Sequence, residues 1–417
     1  MKAGVGMAVA LDASRDGSPT TSPAPFRRLD IQGLRALAVI VVVLDHVGFS
    51  FFSGGFVGVD VFFVISGFVI TTMLIRDTRS PWSSWFPDFY AKRARRIVPA
   101  ATLIIVLTVI ATFEFTNFLR GARVIPDATA ASLFVANLHF IATGTDYARL
   151  GGDPSPLQHY WSLAVEEQFY LAWPLLMIAA VLITSRLRRI NLRPLLFAVL
   201  GVIIIGSYLY SISITPLNGT LAFYSPLTRA WELALGCLLA VCAPWLAGRV
   251  TGALAALLGW AGSAAIIWAV LALDAHSTFP GWIAAVPVFG AGALIAAGMS
   301  DRSSLPTKLL QLRAPRYIGD ISYSLYLVHW PIFALTAALI GADFSLGTQA
   351  LLLGASLLGA VLMYHAFENP IRRSRFLLGS TWRSIALIPI AIAIVFAVVW
   401  FERYRWALSV PLVQQLF

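Results

Sequence analysis

Charge is scarce in this sequence. Asp, Glu, Lys and Arg supply 12% of the residues against 59% hydrophobic ones, and the mean hydropathy is +0.79. That balance excludes a large soluble domain, since no long stretch carries the polar surface one needs. Cysteine is almost missing too. Cys237 and Cys242 stand five apart in one apolar run, where helical geometry points them to different faces, so they read as small core residues rather than a disulfide or metal pair. The six histidines, at 46, 139, 159, 276, 329 and 365, include no paired helical motif such as H-E-x-x-H, so no metal is expected. A cleavable signal is missing as well. Residues 1–26 are rich in Ser, Thr, Pro, Gly and Asp and read as a disordered cytoplasmic leader, because the apolar stretch Met7–Leu11 is too short for an h-region.

What the sequence does have is repeated apolar runs of bilayer length, the mark of an all-α, polytopic transmembrane helix bundle. Runs near 34–52, 56–75, 97–115, 161–183, 194–213, 228–247, 252–273, 282–299, 319–340, 347–366 and 383–401 give eleven spans, and a shorter run covers 128–142. If the short run crossed, the loop with Arg186, Arg188, Arg189 and Arg193 would fall opposite Arg93, Arg95 and Arg96, against the positive-inside tendency. Kept out of the count, it leaves every strongly basic loop cytoplasmic, including 300–316 and Arg372–Arg375. The N-terminus is then inside and the C-terminus outside, with one transmembrane domain over 27–402 and an extracytoplasmic tail over 403–417. The net charge of +10 reads through this loop placement, not as a sign of nucleic acid.

Within the first run, Arg35 and His46 stand eleven residues apart. That is about three helical turns, or roughly 16 Å along the axis, so both lie on nearly one face. Ionisable groups in a span are costly and mark function by default, although Arg35 snorkelling and His46 ending the helix is the bland alternative. Asp60 and Ser66 lie in the second run, and Asp60 needs a partner or a proton. The stretch FYAKRARRIVPA sets Lys92, Arg93, Arg95 and Arg96 at the cytoplasmic start of the third, suited either to phosphate groups or simply to orienting the protein. In PLQHYWSLAVEEQFYLAWP, Ser162, Glu166 and Tyr170 repeat every four residues and share a face, with Glu167 beside them. Asp60 or one of these glutamates is expected to orient the His46 imidazole, since a carboxylate partner fixes its tautomer and raises its basicity. Tyr326 and His329, in ISYSLYLVHWPI, read first as packing residues near a kink and second as pocket residues.

Taken in order, LDIQGLRALAVIVVVLDH, GGFVGVDVFFVISGF, FYAKRARRIVPA, PLQHYWSLAVEEQFYLAWP and ISYSLYLVHWP resemble the acyltransferase 3 family of membrane-bound acyltransferases. The resemblance covers about residues 27–375. It maps the family's Arg-x10-His pattern onto Arg35 and His46, and its Arg-x-x-Arg pattern onto Arg93 and Arg96. It implies transfer of an acyl group, often acetyl from acetyl-CoA, to a hydroxyl of a cell-envelope glycan or other carbohydrate, and a place in the plasma membrane. Some relatives carry an extracytoplasmic SGNH-type domain after the membrane unit; a stand-alone transferase and a piece cut before such a domain both fit the sequence.

Sidedness then suggests a scheme. Arg35, Arg93 and Arg96 bind the phosphates of cytoplasmic acyl-CoA, the donor substrate. The pantetheine arm carries the thioester up the bundle, and His46 deprotonates the acceptor hydroxyl. Asp60, Glu166 and Glu167 support His46, while Ser66, Ser162, Tyr170, Tyr326 and His329 are candidate pocket residues. A covalent acyl intermediate on His46 or Ser66 is the alternative, disfavoured because the sequence shows no base beside Ser66. No permanently bound cofactor is expected; the expected partners are acyl-CoA, a glycan acceptor and membrane lipids, with oligomeric state left open. The competing class is a transporter or flippase, since intramembrane Arg, His and Asp also mark transport pathways, but no internal repeat or matched pair of broken helices stands out.

Overall fold

The computed structural model describes residues 28–77, 82–145, 154–187, 191–300, 302 and 304–409. The expected leader over 1–26, Arg188, Arg189 and the end of the expected tail lie outside the described residues. Those described form helices and no strand. The first half of the chain contributes α1 (Leu29–His46), α2 (Gly58–Asp77), α3 (Trp82–Phe115), α4 (Phe118–Ser132), α5 (Ala136–Ala142), α6 (Tyr160–Arg186) and α7 (Leu192–Ile214). Next come α8 (Gly219–Tyr224), α9 (Pro226–Ala247), α10 (Gly252–Ala272), α11 (Ala285–Ala297), α12 (Leu305–Leu310), α13 (Arg313–Ile340) and α14 (Leu346–Met363). A π-helical turn, Tyr364–Glu368, leads into α15 (Asn369–Arg372), α16 (Arg375–Leu378), α17 (Thr381–Ile385) and α18 (Leu387–Ser409).

Nine helical stretches among the described residues are long and apolar enough to cross a membrane. The other two expected spans correspond to α1, which carries Asp30, Arg35 and Asp45, and to α11, whose 13 residues reach only about 20 Å. No continuous helix covers the run 128–142. It breaks after α4, where Phe134 takes a φ of 55° and α5 restarts for only seven residues. The third helix differs from its expected span in a way that matters. It begins at Trp82, well before residue 97, and continues through both Pro87 and Pro99. The basic cluster therefore lies on a helix, where Arg93 and Arg96, three apart, share a face and Arg95 points away to donate to Ser384 Oγ at 2.7 Å.

Two close helix pairs position the polar residues. Gly67 on α2 lies against the backbone of Leu233 on α9, and a Cβ there would collide with the carbonyl. Gly319 on α13 lies against the backbone at Gln32 on α1 in the same way. Small residues let backbones approach in a bundle whose outer surface gains nothing from leaving lipid. The second contact sets α1 and α13 side by side, so their later turns face each other at His46 and His329.

Candidate active site

Two cavities lie on either side of a septum of aromatic rings. The first, about 160 Å³, is lined by Arg35, Ser66, Lys92, Arg93, Arg96, Ser162, Glu166, Tyr170, Ser322, Tyr323 and Tyr326, with apolar residues of α2 between them. The second, about 260 Å³, is lined by Asp45, His46, Ser53, Phe56, Thr215, Gly219, Thr220, Phe223, Asp274, Ala275, Ser277, Thr278, Phe279 and Trp330. Arg35 and His46 thus serve different cavities, as their separation along α1 requires.

In the first cavity Arg35 donates through Nε and Nη2 to Ser322 Oγ, at 3.1 and 2.9 Å. Arg93 Nη2 pairs with Glu167 Oε1 at 2.8 Å, and its guanidinium lies 3.7 Å from the centre of the Tyr170 ring. Glu166 Oε1 accepts from the hydroxyls of both Ser66 and Tyr170, the latter at 2.7 Å. The i, i+4 spacing of Glu166 and Tyr170 therefore makes a contact as well as a shared face. Among the expected site residues, Arg35, Arg93, Arg96, Ser66, Ser162, Glu166, Tyr170 and Tyr326 meet here, with Glu167 behind Arg93.

The septum is built from α6 and α13. Tyr326 shares a hydrogen bond with Ser162 Oγ at 2.6 Å and donates to the His159 carbonyl at 2.9 Å. Its ring lies 5.6 Å from that of His329. His329 is fully buried, and its Nε2 is 2.9 Å from His46 Nδ1, with the two rings nearly parallel at 6°. The network assigns the protons. His329 Nδ1 lies 3.0 Å from the Leu325 carbonyl, which can only accept, so Nδ1 carries the hydrogen and a neutral His329 presents a lone pair at Nε2. With both rings neutral, His46 Nδ1–H donates to it and Nε2 is the His46 nitrogen that carries no hydrogen. Trp330 holds the ring from the side, at 4.5 Å between centres.

The partner at His46 Nδ1 is thus His329. Asp60 is taken by another group: its Oδ1 accepts from Arg229 Nη2 at 2.9 Å, and Arg229 Nε lies 3.1 Å from Glu232 Oε1, all three residues being fully buried. The rings of Phe63, Trp161, Phe223 and Phe279 surround the guanidinium at 5.4–5.8 Å. Glu166 and Glu167 are engaged by Ser66, Tyr170 and Arg93, so neither is the group hydrogen-bonded to His46 Nδ1. Sequence reasoning missed Arg229 and Glu232, although a charged pair three apart at the start of an apolar run is the kind of signal that singled out Arg35. It also missed Asp274, in the loop after α10, whose carboxyl is held below its usual range chiefly by the Ser277 hydroxyl at 2.9 Å. No group of three or more His, Cys, Asp or Glu among the described residues is arranged to hold a metal.

A helical bundle with a cation-lined cavity, a second cavity and an oriented imidazole between them defines an integral membrane protein with a polar, enzyme-like interior. The chain belongs to the acyltransferase 3 family, whose acyltransferase domain it matches over residues 28–365. It is similar to peptidoglycan O-acetyltransferase OatA of Listeria monocytogenes, 34% identical over 83% of this chain and 56% of the relative. It is also similar to O-acetyltransferase OatA of Staphylococcus aureus, 32% identical over 83% of this chain and 57% of the relative. The chain spans just over half the length of these relatives. No solved structure matches it significantly. The protein is a multi-pass plasma-membrane protein.

Proposed function

We propose that the protein is a membrane-bound O-acyltransferase that moves an acyl group, acetyl in the first instance, from acyl-CoA to a hydroxyl of a cell-envelope glycan. The observation that carries this reading is the His46–His329 pair, which fixes the His46 imidazole in the lining of the second cavity, across the septum from the cation-lined one. The names of its relatives, both O-acetyltransferases and one of peptidoglycan, support the acyl group and the acceptor class. With eleven spans, the cationic cavity is cytoplasmic and the His46 cavity faces outward, because that arrangement keeps the basic loops inside.

In this reading the CoA phosphates dock at Arg35, Arg93 and Arg96, whose guanidinium groups present paired donors. The pantetheine arm runs past Ser66 toward Tyr326, which must swing aside for the thioester to reach the imidazole. His46 Nε2 takes the acceptor hydroxyl proton as that oxygen attacks the thioester carbonyl. His329 supports the imidazolium that forms. The tetrahedral intermediate then collapses, the carbon–sulfur bond breaks, and the leaving thiolate takes the proton back from His46.

One observation favours a second route. Glu166 stands beside Ser66 and supplies the base that the sequence did not show. Ser66 Oγ would attack the thioester, release CoA as thiol and carry the acyl ester until the acceptor hydroxyl displaces it. Labelled acetyl-CoA given to the reconstituted protein without acceptor separates the two: direct transfer leaves Ser66 unlabelled, and the covalent route acylates it. Delivery of label to a glycan outside proteoliposomes loaded with acetyl-CoA tests the function itself.

A further inference from the structure

The two cavities differ in charge as well as in position. The first carries four cations, Arg35, Lys92, Arg93 and Arg96, against the carboxylate of Glu166. Among the described residues lining the second there are two acidic side chains, Asp274, a carboxylate exposed in its loop, and the half-buried Asp45, and no Lys or Arg. Among these residues an anion that fits the first meets no cation in the second, only the Asp274 carboxylate.

The rest of the second cavity suits a sugar. Phe223, Phe279 and Trp330 offer apolar ring faces, Thr278 and other residues add hydroxyls, and the two acidic side chains accept hydrogen bonds from the vicinal hydroxyls of a pyranose. Its volume of about 260 Å³ approaches the ~300 Å³ at which small-molecule pockets begin. His46 lies in its wall, so a hydroxyl held there comes within reach of Nε2.

We infer that this cavity is the acceptor subsite and that it selects by charge, taking uncharged or amine-bearing sugar units and turning away those with a carboxylate, phosphate or sulfate near the reacting hydroxyl. The inference rests on the reading of His46 as the base that receives the acceptor. Charge selection also keeps the anionic donor from entering through the acceptor side, so each substrate approaches from one face.

Binding, read without turnover, tests it. Saturation-transfer NMR on the full chain in nanodiscs compares a trimer of β-1,4-linked N-acetylglucosamine with trigalacturonate. The neutral trimer binds, and the uronate binds about tenfold more weakly at low ionic strength, a gap that salt reduces. Asp274→Asn closes most of the gap, whereas Thr278→Trp, which fills the cavity, removes binding of the neutral trimer while CoA binding shows the fold intact. Equal or tighter binding of the uronate, no binding of the neutral trimer, or full binding by Thr278→Trp overturns the inference. Failure of the transferase reading looks different: both substrates bind as described, yet no acyl group moves.

Discussion

Arg229 Nη2 lies 2.9 Å from Asp60 Oδ1 in a fully buried site, and the same guanidinium serves Glu232. Removing one partner of a buried pair leaves an uncompensated charge, at a cost of roughly 3–5 kcal/mol. Arg229→Ala strands two carboxylates and Asp60→Ala leaves Arg229 one partner, so the arginine variant is the less stable of the two. Unfolding midpoints in detergent check the order; equal midpoints would deny that the three act as a unit.

The donor site predicts a difference among three neighbouring arginines. Arg96 lines the cationic cavity, whereas Arg95 is turned to Ser384. Arg96→Ala weakens CoA binding by about 1.5–3 kcal/mol for a lost charged hydrogen bond, and Arg95→Ala changes it little. Arg93→Ala costs CoA affinity too, but it also strips Glu167 of its partner and therefore lowers stability. Calorimetric titration with CoA, at two salt concentrations, measures all three.

Topology predicts the labelling of single cysteines, with Cys237 and Cys242 first replaced by Ala. Gly219→Cys, at the rim of the His46 cavity, reacts with an impermeant maleimide from outside, and Lys308→Cys, on α12, reacts only from within. Reaction of both from the same side would remove the sidedness from the mechanism.

How much of this was legible in the sequence differs by residue. Helical runs were legible because apolar length is a local property, and Arg35 and His46 stood out because charge in such a run is rare. The Ser162, Glu166 and Tyr170 face was legible from its four-residue period. The partners were not. His46 meets His329 across 283 residues, and Asp60 meets Arg229 across 169, pairings set by how α1 packs on α13 and α2 on α9. Ser66 meets its carboxylate partner in the same way, Glu166 on another helix. The break at Phe134 had no Gly or Pro to announce it, and the helix before residue 97 was missed because the third run was bounded by its apolar length, which the basic residues interrupt.

The central claim is that His46 is the base and His329 holds it in the active tautomer, and transfer from labelled acetyl-CoA to an acceptor glycan by His46→Ala and His329→Ala tests it most directly. The account predicts that His46→Ala loses about 10²–10⁴-fold in rate with CoA binding retained. His329→Ala loses less and shifts the pH profile of the remaining activity, because the imidazole survives without its partner. Near-normal turnover by a folded His46→Ala protein would contradict the account.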